Sequence, residues 1–188
     1  MRLFIAVPLP QNIQQVLASG LGTLCRALPP AHWVRPEGIH VTLKFLGEQL
    51  DTMVTALDRE VPAALAALAP ATVHLAGGGF FPTPRRPRVA WVGGQAEGLV
   101  TWASAIDAAA TSLGLAPEER PFSLHLTLAR LERPWPEPAV QRFLDEVAGW
   151  ELATFVAREA VLYRSELKPG GAVYSALRHW PAGGGHGA

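Results

Sequence analysis

Hydrophobic positions along the chain recur with two periods, which predict helices in some segments and strands in others. Apolar residues spaced three and four positions apart predict helices over residues 10–28, 51–69, 97–113 and 137–148. Shorter apolar runs predict strands over residues 3–8, 39–46, 72–77, 89–94 and 121–131, and two more within 155–180 that turn at Pro169, Gly170 and Gly171. Asp51 is the expected N-cap of the second helix and Gly114 the C-cap of the third. Segments 28–38 and 78–88, rich in proline or glycine, are predicted loops.

Two of the predicted strands carry the same polar pair. GIHVTLKFL begins at Gly38 and SLHLTLARL begins at Ser123, and in each a histidine stands two residues before a threonine. A helix is predicted after each strand, so the chain contains a weak internal repeat. Together with the alternation of strands and helices, this repeat predicts an α/β or α+β protein made of two similar lobes that face one another.

Strand geometry groups the polar residues of each repeat. Because side chains alternate between the two faces of a strand, His40 and Thr42 are predicted to share one face with Lys44, and His125 is predicted to share one with Thr127. The neighbouring apolar residues, among them Val41, Leu43 and Phe45 in the first strand, are predicted on the opposite face.

The two polar faces are expected to line a solvated cleft between the lobes. Burying them dry would cost about 1–3 kcal/mol for each unsatisfied polar group. Two imidazoles across such a cleft divide acid and base work near neutral pH, and threonine hydroxyls can hold a phosphoryl oxygen. The residues alone suit phosphodiester cleavage without a metal ion, and they leave open which histidine is the acid.

Composition narrows the class of protein. The 188 residues are 49% hydrophobic and 17% charged, which indicates a globular protein. The formal net charge of zero gives no indication of a protein that coats nucleic acid. The single Cys25 excludes an intrachain disulfide framework and a cysteine-based zinc site. No apolar run approaches the roughly 20 residues of a membrane span, and the N-terminus is predicted to be a strand rather than a signal peptide. We therefore expect a cytoplasmic protein, with one domain over residues 1–180 and a disordered tail over 181–188.

A functional role is less strongly indicated for the remaining histidines and for several loop residues. Four histidines outside the repeat are interpreted as structural: His32, His74, His179 and His186. The arginine cluster of the predicted loop 78–88 suits an RNA backbone and its aromatic rings suit a base, but a solvated connector is an equal alternative. The same choice applies to Trp33 and Arg35, and Tyr174 is predicted either to reach the cleft or to lie in the core.

These segments resemble the 2H phosphoesterases, specifically the bacterial and archaeal RNA 2′,3′-cyclic phosphodiesterases historically called 2′-5′ RNA ligases. The resemblance extends from RLFIAVPLP to GGAVY. Its strongest segments are WVRPEGIHVTLKFLGE, GGFFPTPRRPRVAWVG, PFSLHLTLAR and LYRSELKPGGAVY. It implies an α+β bilobal fold of two pseudo-symmetric lobes, each with an antiparallel sheet flanked by helices, and an active-site cleft between them.

The resemblance also implies an activity, the hydrolysis of an RNA terminal 2′,3′-cyclic phosphate to a 2′-phosphate with no metal or cofactor. Carried over to this chain, it makes His40 the proton donor to the leaving O3′ and His125 the proton acceptor that activates water. Thr42 and Thr127 occupy the phosphate-holding positions. The expected partner is RNA with cyclic phosphate ends, tRNA fragments being one source, and the expected state is a monomer.

Two positions of the second repeat stand apart. Family members commonly have proline directly before the second histidine, and here the residue is Leu124. Arg130 matches a family arginine and is a candidate phosphate ligand, but strict alternation from His125 places it on the opposite face of the strand. Only a bulge or the end of the strand would turn it towards the cleft.

Three alternatives to this function remain. The same residues would serve 2′-5′ RNA ligation or cleavage of another 2′-linked or cyclic nucleotide. A non-catalytic module that binds RNA ends would not need both histidines and both threonines. A metallophosphoesterase lacks support, because the sequence has no HExxH motif and no aspartate-rich cluster.

Overall fold

The computed structural model describes residues 1–169 and 171–183. Within these residues the strands are β1 (Arg2–Pro8), β2 (His32–Trp33), β3 (His40–Glu48), β4 (Ala71–Thr83), β5 (Arg86–Gln95), β6 (His125–Arg130), β7 (Phe155–Ala157), β8 (Glu159–Lys168) and β9 (Gly171–Pro181). The helices are α1 (Gln11–Ala27), α2 (Asp51–Leu65), α3 (Glu97–Ser112) and α4 (Glu137–Ala148), and a short 3-10 helix covers Pro36–Gly38.

The strands form two antiparallel sheets, one for each lobe. The first sheet has the order β3-β1-β8-β9, and the second has the order β2-β6-β5-β4-β7. The two histidine strands therefore belong to different sheets, β3 to the first and β6 to the second. This confirms the predicted α+β bilobal fold.

The apolar faces of both lobes meet in one hydrophobic cluster. It contains Val41 and Leu43 of β3 together with Leu126 and Leu128 of β6, all of them buried. The buried residues of α1 are spaced by three and four positions, as the sequence predicted, so this helix packs one face on the cluster. Among the described residues, no helix has the length and apolarity that a membrane crossing requires.

The ends of two helices test the cap predictions. Asp51 is the first residue of α2 rather than its N-cap, because Leu50 takes that position without a side-chain hydrogen bond. The helix ends at Leu65, four residues before the predicted end, and the carbonyl of Ala69 accepts a hydrogen bond from the Trp102 indole at 3.0 Å. Leu113 is the C-cap of α3, so the predicted C-cap Gly114 is one residue late; it follows the cap with φ +86°, and its N–H donates to the Thr111 carbonyl.

The predicted loop 78–88 is wrong, because this segment forms the turn end of a β-hairpin in which only residues 84–85 are outside the strands. β4 continues to Thr83 and β5 begins at Arg86. Gly79 faces Trp91 across the hairpin, and a Cβ at Gly79 would lie 2.3 Å from the Trp91 indole, so the glycine makes room for that ring. Pro82 pairs with Pro87, which brings together two residues that have no N–H to donate to the sheet. Cross-strand packing therefore overrides the local loop composition.

Three further segments differ from the prediction. Residues His32–Trp33 lie in the predicted loop 28–38 but form β2, which pairs with the end of β6. Phe155–Ala157 is a separate strand that pairs with β4 in the second sheet, so the C-terminal region has three strands rather than two. The expected tail begins at Pro181, but Pro181 ends β9 and the Ala182 N–H donates to the Arg158 carbonyl at 2.9 Å. The rest of that tail, 184–188, lies outside the described residues.

Candidate active site

A cavity of about 350 Å³ lies between the two sheets, and both repeated motifs line it. β3 contributes His40 and Thr42, and β6 contributes His125 and Thr127. The structure therefore brings together the four polar residues that the sequence placed on two strand faces, and the predicted cleft is present.

The two imidazoles are oriented by the same backbone contact. Nδ1–H of His40 donates to the carbonyl oxygen of Gly38 at 2.8 Å, and Nδ1–H of His125 donates to the carbonyl oxygen of Ser123 at 2.8 Å. Because a carbonyl only accepts, Nδ1 carries the proton in both rings. Nε2 of each histidine is thus the nitrogen left for proton exchange with a bound molecule.

The surroundings of the two histidines differ. The His40 ring stacks on Phe4 with centroids 4.6 Å apart, and the Tyr174 ring meets it edge-on at 5.2 Å. Tyr163 also stacks on Phe4, at 5.3 Å, and its ring centroid lies 6.1 Å from that of His40. Burial lowers the pKa of His40 to about 4, the Gly38 hydrogen bond opposes this, and His125 adds to the lowering. The Phe81 ring meets the His125 ring edge-on, with ring centroids 5.1 Å apart.

A bulge in β6 turns Arg130 into the cavity. Ala90 of β5 pairs with Ala129, but the next residue, Trp91, pairs with Thr127, so Leu128 is the extra residue of β6. Leu128 and Ala129 are both buried, and Arg130 is exposed and lines the cavity with the histidines. The extra residue changes the alternation, which is why strict alternation from His125 gave the opposite face.

A matching bulge in β3 corrects two predicted orientations. Ile5 of β1 pairs with Lys44 while Ala6 pairs with Thr42, so Leu43 is the extra residue. Lys44 does not share the cleft face, because its side chain is only 2% exposed. Phe45 takes the cleft side instead and lines the cavity.

Lys44 connects β3 to helix α3 and to the segment that follows it by polar contacts. Its Nζ donates to Asp107 Oδ1 at 2.5 Å and to the Ala116 carbonyl at 3.0 Å, and Glu118 Oε1 lies 3.8 Å away. A buried ammonium is tolerated because it is paired and hydrogen-bonded in this way. Lys44 therefore has a structural role, outside the cavity.

The weaker candidates divide between the cavity and the rest of the molecule. Tyr174 and Phe81 line the cavity, whereas Trp33 packs on Trp135 with ring centroids 5.8 Å apart. Arg88 donates to the Glu132 carbonyl at 2.7 Å. The other described histidines pair with side chains outside the cavity, in agreement with the structural interpretation: His32 with Glu132, His74 with Thr154, and His179 with Glu159. His186 lies outside the described residues.

The sequence interpretation did not place several residues at the site. Arg2, Phe4, Phe45 and Ser165 line the cavity, and Tyr163 packs beside His40. For Phe45 the sequence contained a signal. Apolar residues come at every second position up to the leucine of each H-x-T-L motif, but the next buried leucine comes three positions later instead of two. Buried Leu46 and Leu131 lie out of step with Leu43 and Leu128, as an inserted residue requires. Phe4 and Tyr163 gave no comparable signal, since nothing local shows that they flank His40. Leu124 is buried in the core and keeps the apolar face of β6 continuous.

The side chains at the site are not arranged as metal ligands. In the part of the chain that the structure describes, no group of three or more histidine, cysteine, aspartate or glutamate side chains is placed to hold a metal ion. The polar side chains that line the cavity instead provide two imidazoles, four hydroxyls and two guanidinium groups: His40, His125, Thr42, Thr127, Ser165, Tyr174, Arg2 and Arg130. Such a set offers proton donors and acceptors and two fixed positive charges.

Paired H-x-T-L strands that face one another across a cleft between two antiparallel sheets define a 2H phosphoesterase. A family model described as LigT like Phosphoesterase matches the chain twice, over residues 7–91 and 92–174. The two matches correspond to the two repeats, and each contains one histidine motif. The chain belongs to the LigT-like phosphoesterase family.

Known relatives agree over nearly the whole chain. An RNA 2′,3′-cyclic phosphodiesterase of Thermus thermophilus is 34% identical over 204 residues, covering 100% of this chain and 93% of the relative. One of Methanothermobacter thermautotrophicus is 30% identical over 175 residues, with 93% and 95% coverage. These relatives confirm the predicted family.

Solved structures show the same fold. The crystal structure of TT0787 from Thermus thermophilus superposes with a TM-score of 0.82 at 30% identity, over 99% of this chain and 100% of that one. Escherichia coli LigT in complex with 3′-AMP superposes with a TM-score of 0.72 at 27% identity, over 96% and 97% of the two chains.

Proposed function

We propose that this protein hydrolyses the terminal 2′,3′-cyclic phosphate of RNA to a 2′-phosphate without a metal ion. The observation that carries the proposal is the pair of imidazoles that open on one cavity, each fixed at Nδ1 by a backbone carbonyl 2.8 Å away. Binding alone would not require two such rings. The activity named for the relatives supports this substrate.

The reaction requires one proton to leave water and one to reach the ribose. Nε2 of His125, which is free of its proton, accepts a proton from water as the water oxygen bonds to phosphorus. The P–O3′ bond breaks, and Nε2–H of protonated His40 gives its proton to O3′. The phosphoryl group stays on O2′, and the net change is addition of one water.

The other polar residues stabilise the charge on the phosphoryl oxygens. The Thr42 and Thr127 hydroxyls donate hydrogen bonds to those oxygens, one from each lobe. The Arg130 guanidinium supplies positive charge from the second lobe, since the β6 bulge turns it into the cavity. All three act more strongly when the cyclic phosphate displaces water from the cavity.

His40 acts as a proton donor only if the substrate restores its proton affinity. A pKa of about 4 leaves the free imidazole neutral at pH 7, and the drop from 6.5 corresponds to about 3 kcal/mol. A phosphodiester anion at about 4 Å contributes roughly 4 kcal/mol in the opposite direction at an effective dielectric constant of 20. The attraction of the bound phosphodiester is therefore large enough to offset the desolvation of His40 and to protonate it in the complex.

This proton linkage gives a direct prediction. In the free protein the His40 ring should titrate near pH 4 in an NMR pH series, and saturation with adenosine 2′-monophosphate should raise its pKa by more than about 1 unit. Exposed His179 provides the internal control and should not respond to the nucleotide. An unchanged His40 pKa in the saturated complex would exclude it as the donor and favour the reverse assignment of the two histidines.

The proposed function is tested with purified protein, EDTA and adenosine 2′,3′-cyclic phosphate. We expect adenosine 2′-phosphate as the product by ³¹P NMR, at the same rate with and without EDTA. Loss of activity in EDTA that zinc or manganese restores would favour the metal-dependent class. Nucleotide binding without any product would favour the non-catalytic module, and a 3′-phosphate product would contradict the proposed donor chemistry at O3′.

A further inference from the structure

The turn end of the β4–β5 hairpin is a cationic surface that the proposed mechanism does not use. Arg85, Arg86 and Arg88 are all exposed there, and the hairpin as a whole, residues 71–95, contains no aspartate or glutamate. Because the protein has a formal net charge of zero, this surface, called the arginine hairpin below, is a local concentration of positive charge. Such a concentration favours an anionic ligand.

The arginine hairpin continues the sheet face that lines the cavity. Phe81 and Val89 pair across the two strands, and both line the cavity. Thr83 and Arg86 form the next pair outwards on the same face, since buried Pro87 marks the opposite face. Two residues of a strand span about 7 Å, so Arg86 lies about 7 Å along the sheet beyond the wall of the cavity.

The charges of the arginine hairpin are not neutralised by carboxylates. Among the residues that the structure describes, no ion pair includes Arg85, Arg86 or Arg88. Arg88 donates to the backbone carbonyl of Glu132, whose carboxylate pairs with His32 instead. The three guanidinium groups therefore keep their positive charge for a ligand.

The size of the cavity leaves most of an RNA chain outside it. Its volume of about 350 Å³ is at the small end of pockets that hold one small molecule, so it suits a single terminal nucleotide. Every nucleotide on the 5′ side of that one adds a phosphodiester anion outside the cavity. Arg130 pairs with Val89 inside the cavity, so positive charge continues from Arg130 outwards to Arg86.

We propose that the arginine hairpin binds the phosphodiesters on the 5′ side of the terminal nucleotide, so that the end of an RNA strand is a better substrate than a free cyclic mononucleotide. The inference rests on the proposed function, since it concerns the same substrate. Arg86 contacts the first of these phosphodiesters, and Arg85 and Arg88 attract those that follow. Contacts with the backbone hold the strand without reading its sequence.

The experiment compares two substrates that share the same reactive end. One is adenosine 2′,3′-cyclic phosphate, and the other is a tetra-adenylate that ends in a 2′,3′-cyclic phosphate. At about 150 mM salt, Arg86→Gln should lower kcat/KM for the tetra-adenylate about 3- to 10-fold, mainly through KM, because one charge-assisted phosphate contact is lost. The value for the mononucleotide should change by less than about twofold, since it has no phosphodiester on its 5′ side.

Salt dependence gives a second readout of the same contact. For the wild type, kcat/KM on the tetra-adenylate should fall more steeply with salt than kcat/KM on the mononucleotide. Arg86→Gln should make the slope of log kcat/KM against log salt concentration less negative by about 0.7 for the tetra-adenylate, the value for one phosphate contact on a single strand.

Two variants serve as controls. Arg86→Lys keeps the positive charge and should retain most of the activity on the tetra-adenylate. Arg142→Gln removes an exposed arginine of α4, a helix that packs on the opposite face of the same sheet through Phe143 and Phe80, with ring centroids 5.0 Å apart. It should leave both substrates unaffected. Thermal unfolding of each variant should match the wild type, because these side chains are exposed.

The outcomes separate the arginine hairpin from the function. If the wild type hydrolyses both substrates but Arg86→Gln impairs both equally or neither, the hairpin proposal is wrong and the proposed function stands. The hairpin proposal is also wrong if only Arg2→Gln impairs the tetra-adenylate selectively, since Arg2 lines the cavity from the first lobe and would then mark the path of the strand.

A binding measurement decides the hairpin proposal even if the protein hydrolyses neither substrate, in which case the proposed function fails. The probe is a tetra-adenylate with a 5′-fluorescein and a 2′-phosphate end, followed by fluorescence anisotropy. A Kd about 3- to 10-fold weaker in Arg86→Gln, and unchanged in Arg142→Gln, supports the hairpin proposal. Equal affinities of the wild type and Arg86→Gln overturn it.

Discussion

The variants His40→Asn and His125→Asn are each expected to lower kcat/KM for a 2′,3′-cyclic phosphate by about 10³-fold or more. The reaction needs a donor and an acceptor in the same turnover, so loss of one leaves the other without its counterpart. The double variant should therefore be little worse than either single variant. Steady-state kinetics on adenosine 2′,3′-cyclic phosphate measures both effects.

The control for this loss is His179→Asn, which changes an exposed histidine on β9 that pairs with Glu159 outside the cavity. It should retain full activity. His40 packs among aromatic rings, so the unfolding midpoint of each variant shows whether the loss is catalytic or structural. A single histidine variant that folds and keeps full activity would contradict the His/His mechanism.

Removing one threonine hydroxyl is expected to lower kcat by about 10²-fold, in Thr42→Val and Thr127→Val alike. Valine keeps the branched shape of threonine and removes only the group that donates to the phosphoryl oxygen. Because the two threonines lie on different lobes, each is expected to contact its own phosphoryl oxygen. The measurement is kcat with saturating cyclic phosphate for each variant.

Serine distinguishes a hydrogen bond from packing at these positions. Thr42→Ser and Thr127→Ser retain the hydroxyl and should recover most of the activity that valine loses. Equal losses for serine and valine would assign the threonines to packing of the strands. Losses confined to KM would instead indicate that the hydroxyls hold the substrate as strongly as the transition state.

Much of the fold was predictable from local pattern. The period of apolar residues located the four α-helices of the described residues, and three of them, α1, α3 and α4, match the predicted bounds within one residue. The repeated motif also predicted that His40, Thr42, His125 and Thr127 would meet in one cleft, and all four line the cavity. Local pattern was least successful in the hairpin of β4 and β5, where glycine and proline indicated a loop and pairing of the two strands prevailed.

The orientation of residues after each motif was not predictable by simple alternation. A bulge at Leu43 turns Lys44 into the core and Phe45 into the cavity, and a bulge at Leu128 turns Arg130 into the cavity. The register of a strand depends on its neighbour as much as on itself. Each bulge is defined by pairing with β1 or β5, whose residues lie far from the motif in sequence.

The sequence by itself determined that His40 and Thr42 share one strand face and that His125 and Thr127 share another, because side chains two residues apart in a strand point the same way. Tertiary structure decided what those groups can do. His40 has a pKa of about 4 because it is buried beside Phe4 and Tyr174, which distant strands bring to it. Desolvation depends on everything that surrounds a side chain, and only the packed molecule supplies those surroundings.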